Sequence, residues 1–216
     1  ETTATALTGG LTRALGEAVG TYQIQQGTLA AVNGNYTINY TGALFEITAL
    51  ATPTITVTAP DAVYTSVAYV AASFVITGGS DPVEPPAATL EFYSANNPIP
   101  GNAISAPTNV GTYWVRAVYL GNAGNNSVTT TLDDFNITPF SLTATATAAD
   151  KVYDSTDTAA ITIALATIFA SDTVTGTASG TFENKNVGNN KTVTVGSVTL
   201  TGADAANYTV GTAAST

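Results

Sequence analysis

A chain of 216 residues, 44% apolar and only 9% charged, is long enough for one core or for two or three small ones. Fifteen acids against five bases leave a net charge of −10, so no basic stripe can displace counterions from phosphate, and nucleic acid is excluded as a partner. The chain has no Cys, His or Met, which excludes disulfides, thiolate or imidazole metal sites and any Ser-His or Cys-His nucleophile pair. No apolar run reaches the ~20 residues that a membrane helix needs.

In chain order, the first segment opens at Glu1, as at a processing point or the edge of an excised fragment. Helix-like "ALGEAV" (Ala14–Val19) is broken by Gly16. Strict alternation then recurs in "YTINYTG" (Tyr36–Gly42), "TITVTAP" (Thr54–Pro60), "TYWVRAVYLG" (Thr112–Gly121), "SLTATATA" (Ser141–Ala148) and "KTVTVGSVTL" (Lys191–Leu200). Period two predicts strands with one buried face. Clusters such as "NGN" (Asn33–Asn35), "GGSDP" (Gly78–Pro82) and "GNAGNN" (Gly121–Asn126) supply turns between them. The run Ala159–Asp172 fits a helix or a strand by spacing, and its Ile and Thr suit a strand. The whole reads as all-β.

The chain repeats itself. Val19-Gly20-Thr21-Tyr22 and Val110-Gly111-Thr112-Tyr113 each open an alternating run, and Val187-Gly188 opens a third. "AVYTSVAY" (Ala62–Tyr69) corresponds to "KVYDSTDT" (Lys151–Thr158). Gly20 and Gly111 stand 91 positions apart, and Tyr64 and Tyr153 stand 89 apart. A fixed period of this size predicts tandem β modules. Gly20, Gly111 and Gly188 mark a bend into a strand, Tyr22 and Tyr113 pack inward beside it, and Tyr208 marks the late "NYTV" strand. The junctions "FEITALATPTITV" and "FNITPFSLTATA" are short and apolar, so the last strand of one module runs almost directly into the first strand of the next. The expected fold is a set of tandem Ig-like, sandwich-type modules arranged end to end as a rod.

Residues 139–216, with "ADKVYDSTDTA", "GTFENKNVGNNKTVTV" and "LTGADAANYTV", resemble the YDG domain of bacterial repeat proteins. Residues 1–49, with "LTRALGEAVGTYQIQQGTL" and "NYTINYTGALFEI", resemble the C-terminal part of an MBG-type module, and residues 50–138 resemble a complete module of that group more loosely. The resemblance implies serial extracellular repeats in secreted, haemagglutinin-like adhesins, with no catalytic residues. Ser155 follows Asp154 where the family name has Gly, a departure expected to alter a turn. The third module stops soon after "NYTV" and is expected to lack its last strand.

Four groups of residues invite chemistry. Asp150, Asp154 and Asp157 cluster early in the third module and offer oxygen ligands to a calcium ion, the one cofactor the chain suggests, although no EF-hand spacing is present. Asp133-Asp134 form a second acidic pair, without any sign of a pocket for acid–base work. Lys185 lies beside Glu183 and Asn184, the residue types of an intramolecular amide crosslink, but sequence neighbours on a strand do not face each other. Asn35, Asn39, Asn125, Asn136, Asn190 and Asn207 begin N-x-S/T sequons, and Trp114 with nearby tyrosines suggests a platform for a sugar ring.

The expected function is structural, not enzymatic: an extracellular stalk or filament segment of a bacterial surface adhesin or fibre, with no membrane span. Its expected partners are neighbouring copies or modules of the same protein, joined by strand exchange at incomplete terminal modules. The alternative is a module that binds surface glycans or a protein directly.

Overall fold

The computed structural model describes residues 6–79, 88–97, 99, 101–212 and 214–215. It is nearly all β, in three successive groups of strands. The first holds β1 (Leu7–Thr8), β2 (Thr12–Arg13), β3 (Gly20–Gln25), β4 (Ala30–Ala31) and β5 (Leu44–Ile47). β3 is central, antiparallel to β2 on one edge and to β5 on the other. The alternating run Tyr36–Gly42 is not a strand, contrary to expectation. The edge of β3 is filled by β5, and the Tyr40 hydroxyl instead donates to Ile24 O at 2.7 Å, tying the run across the sheet.

The second group comprises β6 (Thr54–Thr58), β7 (Ala62–Val63), β8 (Ser73–Thr77), β9 (Ala88–Tyr93), β10 (Gly111–Tyr119), β11 (Val128–Thr129) and β12 (Asp133–Thr138). β10 is the longest of these and the centre of the sheet. β9 runs antiparallel along one edge of it; β12 and β11 share the other, and β7 lies parallel to β12. The antiparallel pair β6–β8 forms a second layer packed against β10. Alternation decides which side chains go inside: Val115, Ala117 and Tyr119 on β10 are buried, and Phe135 and Ile137 on β12 meet them. Tyr69 stacks on Phe135 with ring centroids 4.0 Å apart, and Phe92 meets both edge-on. Phe135 is fully buried, so truncating it to Ala costs about 3–5 kcal/mol.

The third group comprises β13 (Phe140–Ala148), β14 (Thr158–Ala159), β15 (Ile161–Ala166), β16 (Thr175–Thr177), β17 (Gly180–Phe182), β18 (Val193–Val195), β19 (Thr199–Thr201), a 3-10 turn at Ala205–Asn207, β20 (Tyr208–Val210) and β21 (Ala214–Ser215). The ambiguous run from Ala159 is thus strand, paired antiparallel with β13. β20 and then β21 run parallel along the other edge of β13. Leu142, Ala144 and Ala146 point into the core while the threonines between them face outward. One residue, Pro139, separates β12 from β13, so the last strand of the second group feeds the first strand of the third as expected.

The two opening markers share one device. The Tyr22 hydroxyl donates to Ala18 O at 2.7 Å, and that of Tyr113 donates to Asn109 O at 3.0 Å, each four residues back. In the second module the Tyr113 ring lies over Gly111, whereas in the first the Tyr22 ring lies against Gly16. A Cβ on Gly111 would lie 3.2 Å from the Tyr113 ring, so glycine makes room for the ring. In the third module Asn190 stands at the tyrosine's position, and the next residue, Lys191, donates from its ammonium to Asn186 O at 2.7 Å.

Ser155 has φ 64°, and Ser66, in the same place one module earlier, has φ 63°. Both serines take the left-handed conformation that a glycine adopts freely, at a conformational cost.

Candidate functional site: the joint between the second and third modules

The most elaborate side-chain network joins residues more than a hundred positions apart. The turn after β7 carries Tyr64 and Ser66; the turn after β15 carries Ser171 and Asp172. Asp172 Oδ2 accepts from Tyr64 Oη at 2.7 Å and from Tyr208 Oη at 2.6 Å. Asp172 Oδ1 lies 3.1 Å from Ser66 Oγ and 3.0 Å from Ser171 Oγ, and the two hydroxyls lie 2.7 Å apart; with one proton each, the serines make two of these three bonds at a time. The Phe169 amide donates to Tyr208 Oη. One carboxylate therefore gathers two tyrosines and two serines from both modules.

Aromatic packing surrounds it. The Tyr64 ring meets Phe169 at 5.8 Å and Tyr208 at 5.5 Å between centroids, both edge to face, and Phe140 meets Phe169 at 5.1 Å. Such pairs add about 0.5–1.5 kcal/mol each beyond the area they bury. Tyr64 is 2% exposed and Tyr208 5%. The buried cluster that begins at Tyr69, Phe92 and Phe135 in the second module continues without a break through Tyr64 to Leu142, Val174 and Tyr208 in the third.

A second contact lies beside the first. Asn207, buried at the end of its 3-10 turn, accepts from the Val110 amide at 3.0 Å through Oδ1 and donates to Asn109 Oδ1 at 3.3 Å. The loop held by Tyr113 is thus also the loop on which the next module rests.

The electrostatics follow from these bonds. The hydroxyl of Tyr208, above all, holds the Asp172 carboxyl below the usual carboxylate range, against the opposing effect of desolvation. Burial, reinforced by the Asp172 bond, pushes Tyr208 up to about 12 and raises Tyr64 as well. Near neutral pH the joint therefore holds an ionised carboxylate bonded by two neutral phenols.

The other candidate residues are placed differently. Among the described residues no group of three carboxylates comes together to hold a metal ion. Asp154 instead takes the Lys151 ammonium at 2.9 Å and the Thr156 amide and hydroxyl, and these bonds, that of Lys151 first, bring its pKa down to about 2. Asp150 does not join it in such a group, and the backbone carbonyl of Asp157 accepts from Phe182 N. Asp133 and Asp134 begin β12 opposite Val115 and Trp114. Lys185 is exposed; the lysine that meets Asn184 is Lys191, which donates to both its side-chain and its main-chain oxygen.

Trp114 lies opposite Tyr93 on the face away from Tyr113, but Tyr93 is 2% exposed, beneath the Arg116 guanidinium at 5.3 Å. Two sequon asparagines are the buried ones, Asn125 at 1% and Asn207 at 6% exposure, and the amides of both donate hydrogen bonds inside the fold. Of the repeat markers, Tyr208 belongs to the joint, Tyr113 and Gly111 shape the loop it rests on, Tyr22 and Gly20 repeat that loop in the first module, and Gly188 repeats it in the third.

Asp172 and Asn207 were not singled out as joint residues by sequence reasoning. The signal for Asn207 was present: Asn35-Tyr36-Thr37-Ile38, Asn125-Asn126-Ser127-Val128 and Asn207-Tyr208-Thr209-Val210 repeat one pattern. It reads as three sequons until Asn207 is seen holding Val110.

Residues 136–216 match the family model of the YDG domain, and residues 1–46 match that of the MBG domain of the YGX type. These matches confirm the resemblances drawn from the sequence for residues 139–216 and 1–49. No curated protein and no solved structure matches the chain.

Proposed function

We propose that this chain is a structural segment, stalk or filament, of an extracellular bacterial surface adhesin or fibre, and that its role is mechanical. The observation that carries this reading is the joint. A strand passes from one module to the next through a single proline, a carboxylate binds side chains of both, and the apolar core does not stop at the boundary. Force along such a chain loads hydrogen bonds and packed rings in parallel instead of a slack linker. Successive β modules of the MBG and YDG types and outward-facing threonines suit a long extracellular array. In a filament, a strand from a neighbouring copy pairs beside Leu44 and Phe45 of β5, which are 72% and 44% exposed.

Immunogold labelling of the cells that make the protein, with antibodies to this chain, tests the reading. Label on projections outside the envelope is the expected result. Label confined to the cell interior overturns it. Electron microscopy of the purified chain separates stalk from filament, since only the filament form assembles alone.

A further inference from the structure

The far end of the third module repeats the face that the second module turns toward the third. Tyr153 and Ser155 stand where Tyr64 and Ser66 do, with the same left-handed serine. Asn186 and Val187 stand where Asn109 and Val110 do, and Lys191 bonds Asn186 O as Tyr113 bonds Asn109 O. In the second module this face is covered: Tyr64 is 2% exposed and Val110 is half-buried. In the third it is bare, with Tyr153 58%, Val187 86% and Val152 89% exposed. Tyr153, Asn186 and Val187 line one cleft with Phe182, whose ring has the Lys151 and Lys191 ammonium groups at 5.8 and 5.9 Å.

We propose that this cleft is a docking face for a further module of the same kind, one bearing a Ser-Asp turn and an Asn-Tyr-Thr strand. This deepens the stalk reading and rests on it. The occupied joint supplies the chemistry: the incoming aspartate accepts from Tyr153 and Ser155 as Asp172 accepts from Tyr64 and Ser66, and the incoming asparagine takes the Val187 amide as Asn207 takes that of Val110. The Lys191 ammonium beside the cleft favours the incoming carboxylate, while that of Lys151 is paired with Asp154 and Asp150 also lines the cleft. A large apolar area at Val152 and Val187 leaves water in the same step.

The test is the full chain lengthened by a second copy of residues 133–216 after Ser215, so that β21 is followed by the β12–Pro139–β13 passage. The added copy carries Tyr153→Phe, leaving the original Tyr153 as the reporter. Nitration of that tyrosine by tetranitromethane, located by mass spectrometry, is expected to be at least tenfold slower than in the 216-residue chain. Asp172→Ala in the added copy is expected to restore it. Val187→Glu in the original face, a fully surface change that spares folding, is expected to do the same. Equal nitration of Tyr153 in both chains, with Tyr208 protected throughout, overturns the proposal. So does concentration-dependent protection of Tyr153 in the 216-residue chain alone, which makes the cleft an interface between copies. Neither outcome changes where the protein sits on the cell, so docking and the stalk reading fail separately.

Discussion

Tyr64 and Asp172 lie 108 residues apart in the chain and 2.7 Å apart at their oxygens, across the boundary between two modules. The bond is charge-assisted and partly shielded from water, which makes it worth more than an exposed contact. Removing the hydroxyl in Tyr64→Phe leaves the carboxylate one donor short at a cost of about 1–2 kcal/mol. Asp172→Asn costs a similar amount, since the amide replaces one acceptor oxygen by a donor and removes the charge that strengthens these bonds. The two residues share one bond, so the double variant is expected to lose less than the sum, with a coupling of about 0.5–3 kcal/mol in urea unfolding. Strictly additive losses contradict a direct link.

The joint has a pH window with two edges. Asp172 is depressed below its ordinary 3.8, so its contribution is full above that value and is lost as pH falls through the lower folded-state value. Tyr208 is raised from 10.0 to about 12, so its contribution is full below pH 10 and is lost as pH rises toward 12. Thermal unfolding is expected to show a plateau between these edges. Asp172→Asn removes the acid edge attributable to this group, which a comparison of the two pH profiles measures.

Ser155 and Ser66 hold left-handed backbone at φ 64° and 63°. For an L-residue with a Cβ this costs about 1–2 kcal/mol, and glycine is free of it. Part of the gain is returned through the greater freedom of glycine in the unfolded chain. Ser155→Gly and Ser66→Gly are each expected to stabilise the protein by about 0.5–1 kcal/mol, read from the urea midpoint. A loss of stability in both places the strain elsewhere.

Lys191 clamps the loop that carries Val187. Its ammonium donates to Asn184 and Asn186 and sits near the Phe182 ring. Lys191→Met keeps the stem and removes the donors. Hydrogen exchange is expected to accelerate over residues 184–190 with little change in the core strands, at a global cost near 1 kcal/mol. Tyr113→Phe makes the same cut in the second module, where the loop also carries Asn207, and is expected to cost more.

Most of the architecture was legible because alternation is a local signal. Ser141–Ala148 and Thr112–Gly121 became the central strands β13 and β10, and the short junction before Phe140 became a direct strand-to-strand passage. Alternation failed at Tyr36–Gly42, where nothing local says that the neighbouring edge is already taken by β5. The Tyr22 and Tyr113 markers were legible as residues packed beside a bend, but their bonds to carbonyls four residues back were not. Asp172 was illegible for a different reason: an aspartate after a serine in a turn looks like an ordinary solvated cap, and only long-range pairing brings two phenols to it. The same Ser-Asp pair occurs at Ser80-Asp81, which lies outside the described residues.

The central claim is that the second and third modules move as one body through this joint. Because the chain has no cysteine, spin labels can be placed only where cysteine is introduced, at exposed Thr129 on β11 and Thr194 on β18. Pulsed electron paramagnetic resonance then reports the distribution of distances between the modules. A single narrow distribution that broadens in Asp172→Ala is the predicted result. A broad distribution in the unaltered chain, insensitive to Asp172, would mean that the modules swing freely about Pro139 and would contradict the account.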